Sequence, residues 1–292
     1  MSFTAKDVAK LREMTSVGMM DCKKALTETN GDMDAAVAFL RQKGMASAAK
    51  KAGNIAAEGM IATKVAADNK SAAIVEVNSQ TDFAAKNDEF VKFATDVANA
   101  ALTNKTSKIE DLLNADLGGR SVADAAIELT AKIGEKIDVR RVALVSGDTV
   151  SSYVHPVGSK VGVIVAISGA ADQAKAVDIA MHIAAANPAP EFISREEIPA
   201  DVIAKEKEIE SSKDDLAGKP AEIVEKIVSG RVDKLLAARV LNEQGFIKDP
   251  NQKISNYLGS ATVESFSRFN LGEGVEKKQE DYAAEVAAAM RA

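Results

Sequence analysis

Side chains that commonly carry catalytic or metal chemistry are few in this chain of 292 residues. Its two histidines, His155 and His182, have no cysteine or carboxylate at the spacing of a metal site. The sequence has neither a phosphate-binding loop ending in Gly-Lys-Ser/Thr nor the Gly-x-Ser-x-Gly motif of serine hydrolases. Cys22 and His182 each fall in an apolar helical pattern, which predicts core positions. We therefore expect no cofactor, no metal and no covalent chemistry.

Non-covalent binding is the remaining chemistry, and its candidate is the segment 78–84 (Asn-Ser-Gln-Thr-Asp-Phe-Ala). The apolar run 72–77 before it predicts a buried strand, and the segment from Asn87 predicts a helix. Phe83, beside Asp82, would then lie on a polar loop between them. Its ring either packs onto its own core or is presented to a partner, and the residues alone favour packing.

A pair of methionines, Met19 and Met20, forms a second candidate surface. Neighbouring residues on a helix differ in direction by about 100°, so both cannot point inward. Met19 falls on the apolar side with Cys22 and Leu26, so Met20 is expected outside, near Lys23. Methionine suits adaptable contact surfaces, although the sequence alone slightly favours core packing of one and idle exposure of the other.

Composition and charge limit the function classes. Apolar residues make up 46 % of the chain and aromatic residues 4 %, and the formal charge is −6, which argues against a general nucleic-acid binder. Residues 1–53 hold nine Lys/Arg against six Asp/Glu, a charge of +3. No apolar run approaches the roughly 20 residues of a membrane span, and no signal-peptide layout is visible. With a single cysteine, the expectation is a cytoplasmic protein.

The first 44 residues predict three short helices. Thr4 can cap the first helix together with Asp7, and Gly44 is expected to end the third. Residues 50–53 (Lys-Lys-Ala-Gly) then predict a linker. So small a bundle is typical of a ubiquitin-associated-type module.

An internal repeat indicates a duplicated strand-and-helix core. Strands predicted at 60–66 and 72–77 are followed by the helix from Asn87, with an apolar stripe at Phe90, Phe93, Ala94, Val97 and Ala101. A strand at 161–167 is followed by a helix capped by Asp172, with a stripe at Val177, Ala180, Met181 and Ala184. The connection is longer in the first copy, at residues 81–83. A loop enlarged in one copy is a reasonable place for function, and drift in loop length explains it equally well.

Residues 198–245 predict an antiparallel helical hairpin of coiled-coil type around a turn at 218–220 (Gly-Lys-Pro). Its predicted seam is Ile203, Ile209, Leu216, Ile223, Val224, Ile227, Val228, Leu235 and Leu236. Such an arm either pairs two copies of the chain or packs onto its own domain. The chain ends in an alanine-rich segment that predicts a helix with Tyr282, Val286 and Met290 on one side.

Segment 78–84 and three others together closely resemble bacterial elongation factor Ts, the nucleotide-exchange factor for elongation factor Tu. The others are 18–26 (Gly-Met-Met-Asp-Cys-Lys-Lys-Ala-Leu), 132–135 (Lys-Ile-Gly-Glu) and 153–155 (Tyr-Val-His). The resemblance runs from about Thr4 to Met290. Ser79 stands where members of this family often have cysteine, which affects local packing only.

The resemblance implies that elongation factor Tu is the partner and that GDP release is the result. In this family the phenylalanine wedges into the partner's nucleotide domain and disturbs its bound magnesium ion, a role that would fall to Phe83. Thr81, Asp82 and Ala84 would complete that element. The other implied contacts are Met19, Met20, Lys23, Ile133, Gly134 and His155.

The expected fold class is α+β, with antiparallel sheets. The predicted division is a three-helix module (1–53), a first core subdomain (54–143), a second (144–195 with 246–275), the hairpin (196–245) and a C-terminal helix (276–292). Two other functions stay open on the residues: a protein–protein adaptor that alters nothing it binds, and a small-molecule enzyme with a cleft in the duplicated core. The enzyme would need convergent polar residues, and the sequence has no convincing set.

Overall fold

The computed structural model describes residues 3–15, 17–169 and 172–275. Within these ranges the chain is a mixed α+β protein with eleven α-helices and three antiparallel sheets. The predicted C-terminal helix with Tyr282, Val286 and Met290 lies outside the described residues. No helix in the described part combines the length and apolarity needed to cross a membrane.

Three helices form the N-terminal module: α1 (Ala5–Thr15), α2 (Met19–Glu28) and α3 (Met33–Lys51). The predicted cap of α1 is confirmed, because the Thr4 amide donates to the Asp7 carboxylate at 2.7 Å and the Asp7 amide donates back to the Thr4 hydroxyl. The module encloses a small core of its own, formed by Val8, Leu11, Cys22, Ala25, Leu26, Ala36 and Leu40.

Two predictions for this module are wrong. Gly44 does not end α3, which continues to Lys51 and takes up half of the predicted linker. A Cβ on Gly44 would lie 2.9 Å from that of Ala131, so this glycine serves close helix packing rather than termination. Met19 is 50 % exposed and not in the core, because Ala25 completes the buried stripe of α2 in its place.

The first sheet has the order β1-β2-β3, built from β1 (Glu58–Val65), β2 (Ser71–Ser79) and β3 (Asp138–Ser146). β3 therefore runs past the predicted subdomain boundary at 143. The helix α4 (Asp82–Ala85) is a single turn directly after β2, so the loop predicted between the strand 72–77 and the helix from Asn87 is largely regular structure. Three more helices complete this half: α5 (Asp88–Thr103), α6 (Ile109–Asn114) and α7 (Val122–Ile133). All five predicted stripe residues of α5 are buried.

The second sheet repeats the pattern with β4 (Thr149–Val154), β5 (Val161–Ser168) and a later strand, β8 (Thr262–Asn270), in the order β4-β5-β8. Asp172 caps α8 (Gln173–Ala185), as predicted, by accepting from the Lys175 amide at 2.7 Å. The predicted stripe of α8 is wrong for Val177, which is 36 % exposed. The buried face is turned by one residue and consists of Ala176, Ile179, Ala180, His182 and Ile183.

The two sheets pack against each other, and helices cover their outer faces. Residues from β1, β2 and β3 share one apolar cluster with residues from β4, β5 and β8. The central strand β2 is therefore buried on both faces. One face packs against the second sheet, and the other packs against α5 in a separate cluster. The resulting order is helix, sheet, sheet, helix, which gives the residues after β2 a rigid support.

The predicted helical pair corresponds to α9 (Ala200–Ser211) and α10 (Ala221–Arg239). Their ion pairs run in opposite chain directions: Glu206 meets Arg239, and Glu210 meets Arg231. Val228, Val232 and Leu236 are buried between the helices and their base, but the predicted seam residues Ile209 and Ile223 are 46 % and 49 % exposed. The elements after this pair are β6 (Gly245–Phe246), β7 (Asp249–Lys253) and α11 (Ile254–Leu258).

Candidate partner-binding surface

The Phe83 side chain is 80 % exposed, the highest value among the exposed large apolar side chains of the described residues. It stands on α4, where Thr81 is the N-cap residue and its hydroxyl accepts from the Ala84 amide at 3.2 Å. The structure thus decides between the two alternatives for the ring: Phe83 does not pack onto its own core. Ala84, the next residue, is 4 % exposed and anchors the turn from below, so its methyl group is not a contact surface.

The turn is held from the side by the segment that follows α7. The Glu135 carboxylate accepts from the Thr81 amide at 2.9 Å and from the Thr81 hydroxyl at 2.8 Å. The Gln80 side-chain oxygen accepts from the Lys136 amide at 2.8 Å. Glu135 belongs to the Lys-Ile-Gly-Glu segment but has no role among the sequence-based site residues. A contact between positions 54 residues apart leaves no signal in a single sequence.

Asp82 faces solvent beside the ring and pairs with Lys86, one helical turn later, at 2.6 Å. The hydrogen bond from Lys86 keeps the pKa of the Asp82 carboxyl below its ordinary value, against a small opposing effect of burial, and the charge of Lys160 acts in the same direction. The carboxylate is therefore ionised at neutral pH. The turn presents an apolar ring flanked by one negative and one positive group.

On the N-terminal module, α2 turns both methionines outward. Met20 is 74 % exposed and Met19 is 50 % exposed, and Lys23 is exposed near them. Cys22 between them is fully buried, as predicted. The face is therefore a flexible apolar surface with adjacent positive charge, of the kind that adapts to a protein partner.

Ile133 and Gly134 lie at the end of α7, directly before Glu135. Ile133 is half-buried against the first-sheet core, and Gly134 is exposed, with φ of 85° in the left-handed C-cap conformation. The carbonyl of Gly134 accepts a hydrogen bond from the side chain of Lys51, the last residue of α3. The segment 133–136 thus connects the N-terminal module with the Phe83 turn.

His155 is exposed at the start of the loop between β4 and β5. This loop lies over the edge of the first sheet, because the Ile61 amide donates to the Ser159 carbonyl at 2.8 Å. Lys160, in the same loop, pairs with Glu58 at 3.0 Å and also influences the Asp82 carboxyl. The β4–β5 loop that contains His155 and the helix α4 that carries Phe83 therefore both lie against β1.

Among the residues that the structure describes, the second histidine and the possible metal ligands do not add a catalytic or metal site to this surface. His182 is 1 % exposed and is hydrogen-bonded on both ring nitrogens, to Gln244 at 2.9 Å and to the Ile247 amide at 3.2 Å, as a satisfied core residue. Across the described ranges, no group of three His, Cys, Asp or Glu side chains is arranged to hold a metal ion.

Comparison with known proteins gives a consistent family. The family model described as elongation factor TS matches residues 80–273. Elongation factor Ts of Pseudoalteromonas atlantica is 49 % identical over 100 % of this chain and 99 % of its own length. The proteins of the same name from Methylococcus capsulatus and Pseudomonas paraeruginosa are 49 % and 47 % identical, with at least 98 % of each chain covered. This chain belongs to the elongation factor Ts family.

Proposed function

We propose that this chain is a guanine-nucleotide exchange factor for translation elongation, which binds elongation factor Tu with GDP and promotes GDP release so that GTP can reload. The observation that carries the proposal is the Phe83 ring, 80 % exposed on a turn whose backbone is held by the core. An apolar ring kept in water on a rigid support is a typical interface anchor. Family membership supplies the partner.

In the proposed mechanism, Phe83 wedges between helices of the partner's nucleotide domain and Asp82 fixes its approach. Burying a phenyl ring contributes roughly 1.5–3 kcal/mol, and each 1.4 kcal/mol of differential binding changes nucleotide affinity about tenfold. Displaced helices would disturb the magnesium ion, which screens the phosphate charges of GDP. By linkage, the factor weakens nucleotide binding as much as nucleotide weakens binding of the factor.

The further contacts proposed for the partner are on three elements. Met19, Met20 and Lys23 would bind it through α2, Ile133 and Gly134 through the end of α7, and His155 through the β4–β5 loop. The hydrogen bonds between Lys51 and Gly134 and between Glu135 and Thr81 support this assignment. They hold the N-terminal module, the end of α7 and the Phe83 turn in fixed positions relative to one another. No bond is made or broken by this chain in the proposed exchange.

The proposed organisation keeps the five predicted units, including the three-helix module as ubiquitin-associated-like. The boundary within the core moves to residues 147–148, because β3 continues to Ser146. We also propose that the protein acts in the cytoplasm without direct contact to nucleic acid or membrane, and that the α9–α10 hairpin pairs two copies in a homodimer or a 2:2 complex.

The proposal is tested by loading purified elongation factor Tu with fluorescent GDP and following its release with and without this chain. An exchange factor accelerates release at substoichiometric concentration, because it dissociates when nucleotide rebinds. Binding to elongation factor Tu with no change in release would instead identify an adaptor and refute the proposal.

A further inference from the structure

The helix α4 is too short to be stable by itself. Its four residues form a single turn, and a helical turn in isolation is unfavourable because several dihedral angles are fixed for one hydrogen bond. Phe83 does not stabilise this turn, since its ring is largely in water. The buried Ala84, together with contacts made by the backbone and by Thr81, must therefore maintain the turn that carries the ring.

Glu135 holds the turn by accepting two hydrogen bonds from Thr81, one from its amide and one from its hydroxyl. The hydroxyl passes this contact on to the next residues of the turn. A threonine hydroxyl has one hydrogen to donate and two lone pairs to accept. Because Thr81 donates that hydrogen to Glu135 at 2.8 Å, a lone pair remains directed at the Ala84 amide, 3.2 Å away. The other Glu135 oxygen takes the Thr81 amide at 2.9 Å. A carboxylate, which only accepts, suits both bonds at once.

Neighbouring groups complete the clamp. The Ser79 hydroxyl donates to the Thr81 carbonyl at 2.8 Å, and Gln80 accepts from the Lys136 amide. Gly134 allows Glu135 to reach the turn. Its left-handed conformation ends α7, so the chain leaves the helix toward Thr81 at the next residue. Within the described structure, the base of the Phe83 turn is thus fixed by the side chains of Ser79, Gln80 and Thr81, together with the Glu135 side chain and the Lys136 amide.

We propose that Glu135 is a positioning residue for nucleotide exchange: it holds the Phe83 turn in its docking conformation before the partner arrives. This inference rests on the proposed function for its effect on exchange. If the turn had to become ordered during association, the entropic cost would weaken binding and slow insertion of the Phe83 ring. A preformed turn avoids this cost. Glu135 itself need not touch the partner.

The first experiment needs no partner. Amide hydrogen exchange of the free chain is compared for wild type and Glu135→Gln, which has one oxygen acceptor in place of two. We expect protection of the Thr81 and Ala84 amides to fall about tenfold, while amides of β2 and α5 keep their protection. The matched control is Glu243→Gln, which removes a carboxylate that is also half-buried and accepts two bonds from Arg195. Unchanged protection at Thr81 and Ala84 in Glu135→Gln would overturn the proposal.

The second experiment is a double-mutant cycle in the GDP-release assay. In the wild-type background, Glu135→Gln should reduce the acceleration of GDP release about tenfold. In the Phe83→Ala background it should have no further effect, because both changes remove the docking of the Phe83 ring. Glu243→Gln should leave release unchanged in both backgrounds. Additive effects of Glu135→Gln and Phe83→Ala would show an independent role and contradict positioning.

The two experiments separate the failure of this inference from that of the proposed function. If the wild-type chain does not accelerate release, the proposed function fails, and the hydrogen-exchange result still decides whether Glu135 orders the turn. If acceleration is normal in Glu135→Gln, positioning by Glu135 fails while the exchange function stands.

Discussion

The ammonium group of Lys86 lies 5.7 Å from the centroid of the Phe83 ring. The same nitrogen is bound by Asp82, so the carboxylate holds the cation beside the ring. A cation–π contact at an exposed site contributes only about 0.5–1 kcal/mol. It orients the phenyl group without burying it, and most of the ring remains available to another surface.

Phe83→Ala should leave the stability of the fold nearly unchanged. Because the ring is exposed, we expect the free energy of unfolding to change by less than about 1 kcal/mol, including the lost contact with Lys86. The matched control is Phe90→Ala, at a fully buried position, which should cost about 3–5 kcal/mol. Urea denaturation followed by circular dichroism measures both. A loss in Phe83→Ala similar to that in Phe90→Ala would mean that the ring is structural.

Met20→Ala should weaken association with elongation factor Tu without destabilising this chain. Met20 is 74 % exposed on α2, and losing its contact area should reduce affinity by about fivefold to tenfold. Met14→Ala is the control, since Met14 is also exposed on the N-terminal module but belongs to α1. Isothermal titration calorimetry measures the two affinities. An equal change in both variants would argue against a specific α2 contact.

Replacing Ile209 and Ile223 by serine should reduce self-association. Both are about half exposed in the turns of α9 and α10 nearest their connection, so a second copy could bury them, at roughly 1.5–3 kcal/mol per side chain. Sedimentation equilibrium of wild type and the double variant gives the dimerisation constants. Ile247→Ser, outside the hairpin but 45 % exposed, is the control. A wild-type chain that stays monomeric at every concentration would contradict dimerisation through this arm.

Stability should fall as pH decreases below about 6.5, in part because of His182. Burial lowers the pKa of this imidazole below its ordinary value of 6.5, and the bond to Gln244 opposes the shift only in part. The unfolded chain therefore takes up the proton first, so the stabilisation is complete above pH 6.5 and is lost toward the lower, folded-state pKa. Protonation would also set Nδ1 against the Ile247 amide, which now donates to it.

His182→Gln should flatten this part of the pH dependence. Urea unfolding between pH 5.5 and 7.5 compares the variant with wild type, in a range above the titration of ordinary carboxylates. An unchanged slope in the variant would mean that other groups cause the loss of stability.

Local patterns allowed much of the fold to be predicted from the sequence. Thr4 and Asp172 are caps because hydroxyl and carboxylate groups satisfy free helix amides, and the α5 stripe follows directly from helical periodicity. Errors arose where tertiary contacts override local signals. Gly44 suggests a helix end until its packing on Ala131 is known.

The candidate site was predictable only in part for the same reason. The sequence placed Phe83 after a buried strand but could not decide whether its ring packed inward, since that depends on what the fold leaves beside it. Glu135 was missed entirely. Its contact with Thr81 joins two segments that only the assembled first sheet and α7 bring together.

In the proposed exchange, Phe83 acts on the partner's nucleotide site. The most direct test is the release of fluorescent GDP from elongation factor Tu at several magnesium concentrations, with wild type and Phe83→Ala at equal occupancy of the partner. We predict that wild type accelerates release strongly at millimolar magnesium, that Phe83→Ala loses at least about tenfold of this acceleration, and that the difference shrinks when magnesium is chelated. Equal acceleration by the two proteins at every magnesium concentration would show that Phe83 does not act on the partner's nucleotide site.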